Sequence, residues 1–172
     1  MKKVLIAVDE TEGSKAVLSV FQNMVRPPES VVLVHVQQIE GKSMMIDMLP
    51  ESELNTLREA IRGTEHKEIL DRKSERILNF YRKELENGGL VSVKTVVRDG
   101  IPSEEIMKVA QEEVVDLIIT GYSEKGFLQR VVTGCVSRDI EKKAPVPVLV
   151  AKNPTEQEKY AWSASAAMNT GN

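Results

Sequence analysis

Residues 116–137 read Asp-Leu-Ile-Ile-Thr-Gly-Tyr-Ser-Glu-Lys-Gly-Phe-Leu-Gln-Arg-Val-Val-Thr-Gly-Cys-Val-Ser, an apolar strand, a glycine-bearing loop starting at Gly121, and a helix entered through Gly134. Unpaired backbone N–H groups and the positive end of the helix dipole converge at such a turn. Gly134, Cys135, Val136 and Ser137 can therefore hold an anion. Asp9 follows the apolar run that ends at Val8, and it can accept a hydrogen bond from a ribose hydroxyl or another ligand donor. Its other reading is helix capping or turn formation. Val36 closes a second apolar run.

Other reactive side chains carry less. Cys135 sits near a helix N-terminus, which favours a thiolate, yet no second cysteine is present to resolve an oxidised form, and a buried inert thiol is the simpler reading. His35 lies inside a strand run and reads as a satisfied core imidazole, whereas His66 lies among helix-surface charges and reads as solvated. One cysteine and two separated histidines argue against a zinc site. Arg130 reads as a phosphate contact or as a surface ion pair. Met44, Met45 and Met48 suit a flap over a ligand or partner, or ordinary loop packing. No base, nucleophile or metal cluster points to efficient hydrolysis.

The elements that position these groups follow from periodicity. Val4–Val8 and Val31–Val36 are short apolar runs expected of strands buried on both faces. Residues 90–97 alternate and suit a strand with one less-covered face, and residues 114–120 and 146–151 complete five strands. Ala16, Val17, Val20, Phe21 and Met24 share one helical face, and Pro27-Pro28 stops that helix. A long charged helix is expected over 50–87, with Gly63 a point of interruption and Asn87-Gly88-Gly89 its end. Pro102 opens the next helix, with Glu104 and Glu105 in its first turn, and Lys142-Lys143 closes the last one. Strand alternating with helix predicts a parallel sheet covered on both faces, with ligands beyond the C-terminal strand ends, where Asp9, Val36 and Gly121 stand.

Composition bounds the rest. The 172 residues suit one domain. A formal charge of −3, with Lys and Arg interleaved among acids, argues against nucleic-acid binding. The apolar run after Lys2-Lys3 is too short for a secretory signal, and no run approaches the roughly 20 residues of a membrane span. The expectation is a cytoplasmic protein without a membrane partner. Residues 153–172 turn polar and rich in small side chains, and are expected to form a flexible C-terminal tail.

Residues 1–152 resemble the universal stress protein family. The resemblance rests on Val4-Leu-Ile-Ala-Val-Asp9, Val34-His-Val36, Gly100-Ile-Pro-Ser-Glu-Glu-Ile106, Asp116-Leu-Ile-Ile-Thr-Gly121, Gly134-Cys-Val-Ser137 and Ala144-Pro-Val-Pro-Val-Leu-Val150. It implies a Rossmann-like five-stranded parallel sheet of order 3-2-1-4-5, with helices on both faces. It also implies a stress-response module and a homodimer joined along the last strand, Val146 to Val150. Pro145 and Pro147 independently mark that strand as an edge.

Nucleotide-binding members of the family resemble Gly-x-x-Gly, nine residues, then Gly-Ser or Gly-Thr. Carried onto this chain, the outer glycines are Gly121 and Gly134, but Glu124 takes the second glycine and Cys135 the hydroxyl position. At about 5 Å, Glu124 would oppose one phosphate charge by roughly 3 kcal/mol at an effective dielectric of 20, and by under about 1 kcal/mol in water. The phosphate grip is therefore weakened, while the adenosine side is retained. Asp9, beside Val8, matches the family's ribose- and adenine-side acid, and Val36 matches the residue whose backbone meets the base. The cofactor expectation is ATP or AMP, bound weakly. The alternative is a dimeric module that binds no nucleotide and acts through protein partners or another small ligand.

Overall fold

The computed structural model describes residues 1–37, 50, 52–53, 56, 65–89, 92–122 and 136–152. Strand and helix alternate through them as β1 (Lys3–Ala7), α1 (Glu12–Met24), β2 (Ser30–Gln37), α2 (Glu65–Asn87), β3 (Val93–Asp99), α3 (Pro102–Glu112), β4 (Leu117–Gly121), α4 (Val136–Lys143) and β5 (Val148–Ala151). The strands form one all-parallel sheet of order β3-β2-β1-β4-β5. The fold class and strand order are those the sequence and its family resemblance imply.

Alternation along each strand divides the core into two layers. Val4, Ile6, Leu33 and Ile119 face Val17 and Phe21 of α1 together with Leu78, Tyr81 and Leu85 of α2. Leu5, Val32, Val34 and Ile118 face Ile106 and Val109 of α3 and Ile140 of α4. Strands covered on both sides have no polar face to present, which is why they read as unbroken apolar runs. Each fully buried aliphatic side chain stabilises the fold by about 1.5–3 kcal/mol.

The helix ends follow local chemistry. Thr11 caps α1 by accepting a hydrogen bond from the Ser14 N–H, and the helix ends at Met24, ahead of Pro27. Met24 projects past the apolar face into water, at 73% exposure. Pro102 opens α3 with Glu104 and Glu105 in its first turn, and Lys142 and Lys143 lie in the last turn of α4. Gly89, at φ +91°, ends α2 in a conformation that side-chain-bearing residues resist.

Three boundaries differ from the sequence reading. The third strand runs from Val93 rather than residue 90, and its pairing with β2 carries it on to Asp99, opposite Gln37. The fourth begins at Leu117, because Val114 is not strand. Val114 takes φ +52° and donates its N–H to Gln111, while the Val115 N–H reaches back to the Ala110 carbonyl. That pair of bonds is the Schellman closure of α3, with a β-branched residue where glycine is favoured. The fifth strand begins at Val148, since Pro145 and Pro147 have no N–H to give; the Pro147 carbonyl still accepts from Ile118. Of the long helix expected over 50–87, α2 accounts for Glu65–Asn87. Gly63, the methionines at 44, 45 and 48, the His66 side chain and the tail 153–172 lie outside the described residues.

Candidate functional site

The strand order reverses at β1, whose chain neighbours lie on one side (β2, β3) and whose other partner is β4. The crevice beyond the C-terminal ends of β1 and β4 is where an open parallel sheet accepts ligands. Ala7 stands opposite Val34 of β2 and Thr120 of β4, so the next row brings His35, Val8 and Gly121 level. Asp9 follows Val8 and Val36 follows His35, at the same ends of β1 and β2. Sheet register therefore brings Val8, Asp9, Val36 and Gly121 to one rim.

Hydrogen bonds hold that rim rigid. The Val8 N–H donates to Val34 O at 2.9 Å, and the buried His35 ring bonds the Val8 carbonyl through Nδ1 at 2.8 Å. His35 is thus the satisfied core imidazole its strand position implied. Gly121 pairs with Ala151, and the Tyr122 N–H donates to Ala151 O at 2.7 Å. Val36 packs partly buried against the α3–α4 layer.

Asp9 is the most constrained of the four. Its N–H donates to Ser14 Oγ at 2.8 Å, and its Oδ1 accepts from the Thr11 N–H at 2.8 Å and from the Thr11 hydroxyl. Thr11 Oγ1 in turn accepts from the Ser14 N–H at 3.4 Å. The turn-forming role of Asp9 is therefore present, and it occupies Oδ1. Oδ2 has no hydrogen-bond partner among the described residues, which leaves one lone-pair edge of a fixed carboxylate for a donor at the rim.

Val136 opens α4 and Ser137 is buried in its first turn. β4 and β5 are parallel neighbours, so the chain leaves β4 at the Gly121 end of the sheet and α4 lies on its return path to β5. Gly134, Cys135, Glu124 and Arg130 lie outside the described residues. Among the described residues, no group of three or more His, Cys, Asp or Glu could hold a metal ion. No described helix is long and apolar enough to cross a membrane.

The universal stress protein family model matches residues 1–152. The chain belongs to the universal stress protein family. It is 33% identical over 157 residues to universal stress protein MJ0577 of Methanocaldococcus jannaschii, covering 88% of this chain and 94% of that one. A solved structure of MJ0577 matches with a TM-score of 0.66 at 30% identity, covering 90% of this chain and 98% of that one. A family protein of Arabidopsis thaliana with AMP bound matches at TM-score 0.58 and 19% identity, over 91% and 95% of the two chains. A universal stress protein in complex with cAMP matches at TM-score 0.60 and 13% identity, over 89% and 98%. These last two likenesses are of fold.

Beside the rim, this universal stress protein carries a polar cluster that sequence reading missed. Lys67, in the first turn of α2, donates to Gln37 Oε1 at 2.6 Å and Asp99 Oδ1 at 2.9 Å, and lies 3.1 Å from Asp71 Oδ1. Gln37 Nε2 donates to Asp71 Oδ1 at 2.9 Å and to Ser74 Oγ at 2.8 Å. Burial pulls the Lys67 ammonium down, but its bonds and charge attraction to Asp99 and Asp71 together hold it above its ordinary value. The hydrogen bond from Gln37, aided by Lys67 and opposed by burial, holds the Asp71 carboxyl below its ordinary value. The cluster ties α2 to the ends of β2 and β3, next to Val36. The one signal available was Gln37 itself, a polar residue closing an apolar run.

Proposed function

We propose that this universal stress protein is a stress-response binding module that takes an adenine nucleotide, AMP or ATP, in the crevice between the ends of β1 and β4. It acts by binding and conformational signalling rather than by turnover. The observation that carries the reading is Asp9: a carboxylate at the topological switch point, pinned through Oδ1, with Oδ2 turned to no described partner. A ribose hydroxyl donates to Oδ2, the base lies against the Val36 backbone, and Gly121 forms the opposite lip. The phosphates rest on the turn at Gly134, Cys135, Val136 and Ser137. Relatives of the same fold described with AMP and with cAMP support an adenine ligand. The chain acts in the cytoplasm as a homodimer joined along residues 146–150 of the last strand, which is an edge of the sheet. It divides into a domain over 1–152 and a flexible tail over 153–172.

Denaturing the purified protein and assaying the supernatant for nucleotide, with calorimetric titration of ATP, ADP and AMP, tests this reading. No released nucleotide and three flat titrations would remove it. A second reading, a dimeric module that binds partners and no nucleotide, is favoured by Glu124 and Cys135 at the motif positions. The double change Glu124→Gly with Cys135→Ser separates the two. If those two side chains are what weakens the phosphate grip, ATP affinity rises about 5- to 150-fold, since roughly 1–3 kcal/mol of repulsion is removed. An unchanged titration places the loss elsewhere in the loop.

A further inference from the structure

The β1–β2 pairing stops one step before the chain leaves the sheet, and a side chain stands at the stop. Backbone direction alternates along β2. The Ser30 N–H donates to Lys2 O at 3.0 Å and Val34 O accepts from the Val8 N–H at 2.9 Å, so even-numbered residues face β1. The Val31 N–H donates to Ser92 O at 2.9 Å and Gln37 O accepts from the Gly100 N–H at 3.2 Å, so odd-numbered residues face β3. Val36 is even-numbered. Its N–H and C=O therefore point to the β1 side, at the level where β1 has ended and the chain turns through Asp9 toward α1.

In a parallel ladder, a residue that donates to one position of the next strand accepts from the position two further on. The Val8 N–H makes the first of these bonds, to Val34, and the return bond would run from the Val36 N–H to the Val8 carbonyl. That bond is absent among the described residues, and the register ends at Ala7 opposite Val34. The Val8 carbonyl is engaged instead by His35 Nδ1 at 2.8 Å. A carbonyl oxygen can only accept, so Nδ1 carries the proton. Val8 and His35 are both buried, and the ring satisfies the carbonyl without the ladder. The N–H and C=O of Val36 are left with no partner among the described residues.

We propose that His35 is a positioning residue for the strand-end crevice. By supplying the donor to the Val8 carbonyl, it holds the β1–β2 seam open and keeps the Val36 N–H and C=O free for a ligand edge that carries an acceptor beside a donor. Where that ligand is an adenine nucleotide, which rests on the function proposed above, the edge belongs to the base. Without the ring donor the buried Val8 carbonyl would be unsatisfied, which is costly, and the amide next in register is that of Val36. The seam then closes by one residue and the rim loses its donor–acceptor pair. Asparagine places a side-chain N–H where the ring has Nδ1, whereas leucine fills similar space and offers no donor.

The test compares the native protein with His35→Asn and His35→Leu, each shown by thermal melting to be folded. Amide hydrogen exchange is read at Val36 and, as the reference, at Val34 inside the ladder. No nucleotide is needed for this comparison, so its failure is distinct from failure of the nucleotide reading. In the native protein and in His35→Asn, the Val36 amide should exchange at least 100-fold faster than that of Val34. In His35→Leu it should slow to within tenfold of Val34. Nitrogen-15 spectra of the native imidazole should place its proton on Nδ1. AMP titrations of the same preparations should give an affinity within threefold of native for His35→Asn and at least tenfold weaker for His35→Leu. A native Val36 amide as slow as that of Val34, or a neutral ring protonated on Nε2, overturns the proposal, and neither result depends on a variant folding. Equal Val36 exchange in all three proteins also overturns it, as does AMP affinity that His35→Leu leaves within threefold of native. Flat AMP titrations of the native protein, with the expected exchange pattern intact, count against the nucleotide reading and support the role of His35.

Discussion

Asp9 is assigned two tasks through two different oxygens, and substitution can separate them. Asp9→Ala removes the acceptor of the Thr11 N–H and the Thr11 hydroxyl, at the entrance to α1. Bonds to a charged acceptor contribute about 1.5–3 kcal/mol when buried, but this carboxylate is only partly buried, so the helix-cap scale of roughly 0.5–2 kcal/mol is the better guide. A loss of about 1–2 kcal/mol is expected. For a chain of this size that lowers Tm by about 2–8 °C. Asp9→Asn keeps Oδ1 as an acceptor and should stay within about 0.5 kcal/mol of the native protein. Nucleotide affinity should order differently. Losing a carboxylate–hydroxyl bond costs AMP about tenfold to hundredfold in Asp9→Ala, while the neutral amide of Asp9→Asn retains part of the bond and loses roughly fivefold. Calorimetric melts and AMP titrations on the same three preparations measure both. Equal destabilisation by Asn and Ala would refute the Oδ1 assignment. AMP binding within twofold of native in both variants would refute the ligand role of Oδ2.

Two further substitutions probe the frame around the rim. Val114 holds φ +52° at 80% exposure, so Val114→Gly relieves about 1–2 kcal/mol of left-handed strain, loses little packing, and gives back about 0.5–1 kcal/mol through unfolded-chain entropy. A net gain of up to about 1.5 kcal/mol should appear as a Tm raised by up to about 6 °C, and a lowered Tm would contradict the Schellman assignment. Lys67→Met leaves the buried Gln37 Oε1 without its ammonium and should destabilise by about 1–2 kcal/mol at pH 7. Because the folded Asp71 titrates below its ordinary 3.8, its contribution is fully present above that value and is lost as pH falls through the lower folded one. Lys67 titrates above its ordinary 10.5, so its contribution holds below that value and is lost only as pH rises through the higher folded one. The difference between native and Lys67→Met in urea unfolding should therefore shrink between pH 5 and pH 3 and stay level from pH 5 to 9. A gap that keeps its size down to pH 3 would refute the coupling.

Much of the frame was legible in sequence, and its failures share a cause. Val4–Val8 and Val31–Val36 could be read as buried strands because both faces of the central sheet are covered. Strand order came from the family resemblance, since periodicity reports burial and not neighbours. Val114 and Val115 look like the start of a strand because both are β-branched. Backbone closure of α3 overrides that preference, at a position where glycine would have signalled a stop. Asp9 was legible as an acid at a strand end, with capping and ligand contact as rival readings. The geometry shows the two are not exclusive, because a carboxylate has two oxygens. The Lys67–Gln37–Asp71 cluster was not legible, as it joins residues some 30 positions apart that only the packing of α2 brings together.

The same geometry bears on how the proposed nucleotide site would tolerate the altered motif. Val36 and Gly121 belong to paired strands, Val8 is bonded to Val34, and Asp9 is pinned by the first turn of α1, so the residues proposed to meet a nucleoside are organised before any ligand arrives. Preorganisation removes an ordering cost of about 0.5–1.5 kcal/mol for each side chain that would otherwise be immobilised. The family resemblance assigns the positions of Glu124 and Cys135 to the phosphate side of the proposed site, where a carboxylate repels in proportion to the charge brought near it. The penalty therefore grows with each phosphate while the contribution of the base and ribose stays constant. In a site built this way, discrimination shifts from nucleotide against non-nucleotide toward few phosphates against many, and AMP competes with ATP on better terms than an intact glycine loop would allow.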